Sequence, residues 1–310
     1  MKKFFKRFFK ENKKQIIFYS FLRLFSFIQV LFYPYAFSKV LNIISENPKN
    51  LKEACLWAVL MAGNSVLEDV VRLLSKLGLA KAGTRLKISL ASLFSKETEI
   101  KDNKKTGEAV QAIKKASEDI EELVTYYREN ILQLPVNLIF IPIILFKASP
   151  DYLVLLILYT VLYLIINYFC LKVYDKKLRN FFKAAETFWG TAYRKAPEIW
   201  RQREDGHNIA DQVDKEGKEL YEKEVSALTT NHWMWIFVQT LSSASLGIAV
   251  LFVLHKIVNG AAPVGDLILV SAYFDQTQET LNIMTTALNR AAQTRISLRR
   301  LVKAVKIKNN

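Results

Sequence analysis

The sequence predicts an all-α, polytopic membrane protein with six long transmembrane helices, and three observations predict it. The chain of 310 residues is 51% hydrophobic, with 20 Phe and 13 Tyr. Its 10 Gly and 7 Pro are few, so elements run long between breakers. Hairpin chemistry is scarce, with no Asn-Gly and a single Asp-Gly at Asp205-Gly206.

Six stretches are candidate spans: 15–44, about 54–77, about 123–146, 152–173, about 234–257, and the last from about 265. Each offers the roughly 20 residues that cover a bilayer's hydrocarbon at about 1.5 Å per residue. The third and fourth are the most apolar. The second and sixth carry acids and are expected to fall short of a strict hydropathy threshold.

Orientation follows from Lys and Arg. With the N-terminus inside, the inside pieces are 1–14, 76–128, 172–230 and 289–310. They hold 7, 11, 12 and 7 of the 44 basic residues. The outside connections hold only Lys49, Lys52, Lys147 and Lys256. This is the positive-inside asymmetry of a multi-pass protein of the plasma or inner membrane with both termini cytoplasmic. It accounts for the net charge of +15 without nucleic acid as a partner. Cys55 and Cys170 lie far apart in apolar runs, and His207, His232 and His255 form no cluster, so no metal ligand set is visible.

The segment 1–14, "MKKFFKRFFKENKK", reads as a basic amphipathic elbow lying against lipid at the inner interface, ahead of a membrane domain over 15–310. Outside connections are short. Inside connections run to about 50 residues and read as helix with few breaks, so they project as paired arms. Some 25 residues of helix reach about 37 Å beyond a membrane. The arm tips fall near 95–105 and 198–208. Lys101, Lys104 and Lys105 on one tip, with Arg201 and Arg203 on the other, are the candidates for touching a soluble partner.

Three motifs and the elbow then carry a resemblance. "KKTGEAVQAIKKASEDIEELV" is similar, through Thr106, Gly107, Glu108, Ile113 and Ile120, to a stretch after the first cytoplasmic tip of type I ABC exporters; Asp119 stands near that family's Asp. "PVGDLILVSAYF" matches the entry to their sixth span through Val264, Gly265, Asp266, Leu267 and Tyr273. "AAQTRISLRRLVKAV" matches the exit through Ser297, Arg300 and Leu301. The chain thus resembles the six-span transmembrane domain of these exporters over nearly its whole length. The resemblance implies a permease subunit that works by alternating access as a homo- or heterodimer. Such exporters continue into an ATP-binding cassette after the sixth span. Here no G-x-x-x-x-G-K-[ST] loop occurs, so the chain itself is expected to be no enzyme and to bind no cofactor. ATP and Mg would then sit on a separate cassette subunit. The sequence leaves three alternatives open: a longer protein of which this is a piece, a proton-coupled transporter that needs no ATP, and a non-transporting scaffold on the same fold.

Two sets of polar residues stand where a span would carry hydrocarbon. Ser271, Asp275, Gln278, Glu279 and Asn282 share one face of the sixth span at 100° per residue. They read either as the wall of a substrate cavity or as helix-packing pairs and a hydrated arm. An acid inside a span is a functional hypothesis by default. Arg23 in the first span lies at the height of Glu68, Asp69 and Arg72 in the second. An intramembrane pair between Arg23 and Glu68 or Asp69 competes with snorkelling of Arg23 to the headgroups, and Glu68 and Arg72 are spaced i,i+4 for a pair of their own.

Overall fold

The computed structural model describes residues 2–46, 50–97, 106–199 and 206–304. Among them every element is helical. α1 runs Lys2–Glu46, α2 Leu51–Glu97, α3 Thr106–Tyr126, α4 Gln133–Ala148, α5 Pro150–Ile199, α6 Gly206–Val258 and α7 Gly265–Ala304. A π-helical turn, Tyr127–Ile131, joins α3 to α4. The basic N-terminal segment and the first span form one continuous helix.

Among the described residues five helices are long and apolar enough to cross a membrane: those over Arg7–Glu46, Leu51–Leu90, Ala116–Ala148, Pro150–Trp189 and Asp211–Val258. The second therefore passes where the sequence expectation had it fall short. Its acids Glu68 and Asp69 are adjacent, which leaves an uncharged apolar run over 54–67 ahead of them. α7 is not among the five, in keeping with the acids on its surface.

Contacts divide the chain into two compact units. One unit gathers α1, α2, most of α3, the π turn, α4, the first turns of α5, the last of α6, and α7. Its interior is built by α1 against α2, and by α7 against α1 and α4. Gly78 of α2 lies beneath the Tyr19 ring of α1, where a Cβ would stand 2.3 Å from ring carbon. Pro34 within α1 deprives the Val30 carbonyl of its helical donor. One residue further on, the Leu31 carbonyl accepts a 2.7 Å hydrogen bond from the buried Tyr273 hydroxyl of α7. Neighbouring helices commonly satisfy backbone near such breaks in lipid.

The other unit holds the remainder of α5 and α6, together with the first residues of α3. There the Lys177 ammonium donates to the Ser226 hydroxyl at 3.1 Å. Gly217 of α6 admits the Phe188 ring of α5, whose edge would lie 3.3 Å from a Cβ. These contacts close α5 and α6 against each other within this unit.

Candidate functional site: the polar face of α7 and a buried arginine relay

α7 is fixed first at its N-terminal end. The Gly265 amide donates to Asn42 Oδ1 of α1 at 2.6 Å. A Cβ on Gly265 would stand 2.2 Å from the Ser38 carbonyl oxygen, so only glycine lets the two helices approach this closely. The neighbouring Asp266 is buried and accepts a 3.0 Å hydrogen bond from the Tyr152 hydroxyl. Lower down, Phe274 stacks on Tyr159 with centroids 6.0 Å apart. Asn137 of α4 donates to the Thr280 hydroxyl at 2.8 Å, and that hydroxyl donates to Gln276 O of its own helix at 2.7 Å. The Tyr126 hydroxyl donates to Ile283 O at 3.1 Å.

These contacts define the buried face of α7 as Asp266, Val270, Tyr273, Thr277 and Thr280, at alternating spacings of four and three. Counted at 100° per residue from Tyr273, the five residues picked out by the sequence fall within an arc of about 100° on the opposite side. Asp275 and Glu279 are exposed, while Ser271, Gln278 and Asn282 are half-buried. The polar set is therefore not what packs α7 onto α1 and α4. It forms a hydrophilic face away from that packing surface, carrying two exposed carboxylates one turn apart.

The second polar set forms a chain of contacts in the same unit. Arg23 is buried, 5% exposed. Its guanidinium donates to the Ser26 hydroxyl at 3.4 Å and to the Glu129 carbonyl at 3.4 Å, and it lies over the Phe27 ring at 4.2 Å. Ser26 in turn donates to Glu68 Oε1 at 2.9 Å. Arg72 approaches that same oxygen at 3.6 Å and also binds Asp69. The structure thus sets Ser26 between Arg23 and Glu68, and gives Asp69 to Arg72. Arg23 is buried among the helices, where Phe27 and the π turn offer it a ring face and a carbonyl. Sequence reasoning missed Ser26 and Glu129. A serine three residues after Arg23 was a legible signal, whereas a π turn that aims a carbonyl into the bundle was not. One turn further along, Asn64 of α2 donates to Gln29 O of α1 at 2.9 Å.

At the end assigned to the outside, Lys256 donates to Ser149 Oγ at 3.0 Å and to Asp151 Oδ2 at 2.7 Å, ties the α4–α5 connection to the end of α6, and holds the Asp151 carboxyl below its ordinary value. Toward the opposite end Lys87 pairs with Glu121, and Arg290 lies 4.8 Å over the Tyr126 ring and 3.5 Å from Glu122. Lys101, Lys104, Lys105, Arg201 and Arg203, the residues assigned to coupling tips, lie outside the described residues.

The family model of the ABC transporter transmembrane region matches residues 16–193, more than half of the chain. This chain belongs to that family. Among solved structures, that of a bacterial Atm1-family ABC exporter with ATP bound has a similar fold. The TM-score is 0.78 at 14% identity, over 96% of this chain and 54% of that one. The present chain therefore spans about half the length of the exporter it matches. No curated protein sequence matches significantly. The ABC transmembrane region is thus a multi-pass membrane fold here, and α7 takes its place in it despite being the least apolar of the long helices.

Proposed function

We propose that this ABC transmembrane region is the permease half of a dimeric exporter, and that the polar face of α7 borders the substrate path. The observation that supports it is the position of Asp275 and Glu279. They are exposed and directed away from the face by which α7 packs on its own protomer. A carboxylate in lipid costs several kcal/mol, roughly 2.5–3.5 on insertion scales, so such a face calls for water or a partner. A hydrated cavity between two copies supplies water, and its negative wall favours cationic or amphipathic substrates. Movement would proceed by alternating access. The energy would come from ATP and Mg on a cassette chain docked at the inside tips, in the plasma or inner membrane with both termini cytoplasmic.

The test is transport of a cationic amphipathic dye in proteoliposomes containing the chain and whatever ATPase co-purifies with it. ATP-dependent movement, reduced in Asp275→Asn/Glu279→Gln, is the expected result. Movement that persists without ATP and collapses with the proton gradient would replace the ATPase part of the reading by proton coupling. Absence of any movement, with the assembled complex intact, would turn the reading towards a scaffold.

A further inference from the structure

A groove separate from the polar face of α7 runs between α1, α4 and the start of α7. Its volume is about 650 Å³, within the range of small-molecule sites, roughly 300–1,000 Å³. Along α1 it extends from Ile28 to Asn42, a rise of about 21 Å. That exceeds the roughly 15 Å of hydrocarbon in one leaflet. The walls change character along this length. Leu31, Phe32, Phe140 and Ile143 line the deeper part. Lys39 and Lys147 stand at the end near the helix termini, and both are exposed. The one acid at that end, Asp266, is already held by the Tyr152 hydroxyl and lies in the field of Lys39 and Lys256. The mouth is therefore net positive.

We propose that this groove is a binding site for an anionic phospholipid, with an acyl chain against Leu31, Phe32, Phe140 and Ile143 and the phosphate between Lys39 and Lys147. Charge and shape both select this occupant. A cation is repelled by the two lysines. A peptide would bring backbone donors and acceptors against Leu31, Phe32, Phe140 and Ile143, which offer them no partners, while the polar Ser38 and Asn42 stand only toward the lysine end. A single acyl chain needs none, and its length suits a groove that crosses one leaflet. A long Lys stem lets each ammonium stay at headgroup level while its methylenes line the wall. The site differs in charge and in place from the acidic face of α7, and does not depend on the exporter reading.

The experiment uses the whole chain, with any partner that co-purifies, in lipid discs of equal phosphatidylglycerol and phosphatidylcholine. Lipid retained on release into the gas phase is counted by native mass spectrometry. Wild type is expected to retain phosphatidylglycerol preferentially. Lys39→Gln/Lys147→Gln should lower that preference roughly thirtyfold, given the usual contribution of a Lys near a charged surface. Lys39→Arg/Lys147→Arg should restore it. Ile143→Trp, which fills the trough and leaves the charges, should remove the retained lipid. Equal retention of the two lipids by wild type overturns the proposal, and that arm needs no variant. So does an unchanged preference in the Gln variant. Undiminished retention in Ile143→Trp reduces the effect to charge at the membrane surface and overturns the groove assignment.

Discussion

At Gly265 the smallest residue carries the largest steric consequence. The Ser38 carbonyl occupies the place of a Cβ, and a main-chain atom cannot swing aside as a side chain would. Gly265→Ala is expected to destabilise by about 1–3 kcal/mol, the usual cost of overpacking. The readout is a lowered melting temperature in lipid discs, and an unchanged one would show that α1 and α7 separate without cost. Asp275 and Glu279 are the opposite case, exposed and off the face by which α7 packs. Asp275→Asn and Glu279→Gln should leave melting unchanged and lower cation transport. With Cys55 and Cys170 replaced, cysteines at 275 and 279 should react with a membrane-impermeant thiol reagent in at least one conformational state. Protection in every state would assign the face to lipid or to a tight partner. Asp151 offers a pH test. Because Lys256 lowers its folded value below the ordinary 3.8, the pair stabilises fully above 3.8 and is lost as pH falls through the depressed value. Melting of wild type and Asp151→Asn should therefore differ near neutrality and converge in acid. A constant gap across the range would mean that Lys256 is held by Ser149 and the Tyr152 and Phe252 rings instead.

Among the elements, α7 shows how a helix with acids is kept in a membrane bundle. Its hydroxyls and those of its neighbours are spent between helices: Tyr273 on Leu31, Asn137 on Thr280, Tyr126 on Ile283. Bonds of this kind in membrane proteins average about 0.6 kcal/mol and reach about 1.7. Tyr273→Phe and Thr280→Val should each cost that much, additively within error because they engage different helices. The relay between α1, α2 and the π turn is a stronger test. Arg23→Met leaves Glu68 buried with less positive charge beside it, and should destabilise by about 3 kcal/mol. Arg23→Met/Glu68→Met should recover most of the loss. If the double variant is as weak as the single one, the relay fixes helix position through more than its charges. The relay residues were partly legible: Arg23, Glu68, Asp69 and Arg72 are conspicuous charges at matching heights. Their connectivity was not, since a hydroxyl bridge depends on the rotation of α1 about its axis, which periodicity does not give.

For the whole molecule, the exporter reading requires two copies or a related partner. A face with two carboxylates on each protomer makes a hydrated cavity only when it is enclosed. The chain should therefore run as a dimer in mild detergent and in lipid discs. A monodisperse monomer in both would count against a cavity built between copies. If a cassette ATPase co-purifies, charge reversal at Lys104 and Lys105, combined with reversal at Arg201 and Arg203, should release it without loss of membrane insertion. Retention of the ATPase by both sets of reversals would move the docking surface elsewhere.

The sequence by itself determined the all-helical class and the place of the five apolar spans, because length and apolar runs are local properties that lipid enforces segment by segment. It also determined that Asp275 and Glu279 share a helical face with Ser271, Gln278 and Asn282, since 100° per residue is fixed by the backbone. Which way that face turns was decided only by the tertiary structure. Gly265 under Ser38, Tyr273 on Leu31 and Thr280 under Asn137 set the rotation of α7, and the polar arc points outward as the remainder. The same holds for the Lys39–Lys147 groove, whose walls come from three helices far apart in the chain. No single segment carries its shape, because a groove is the space left when helices of unequal side chains pack.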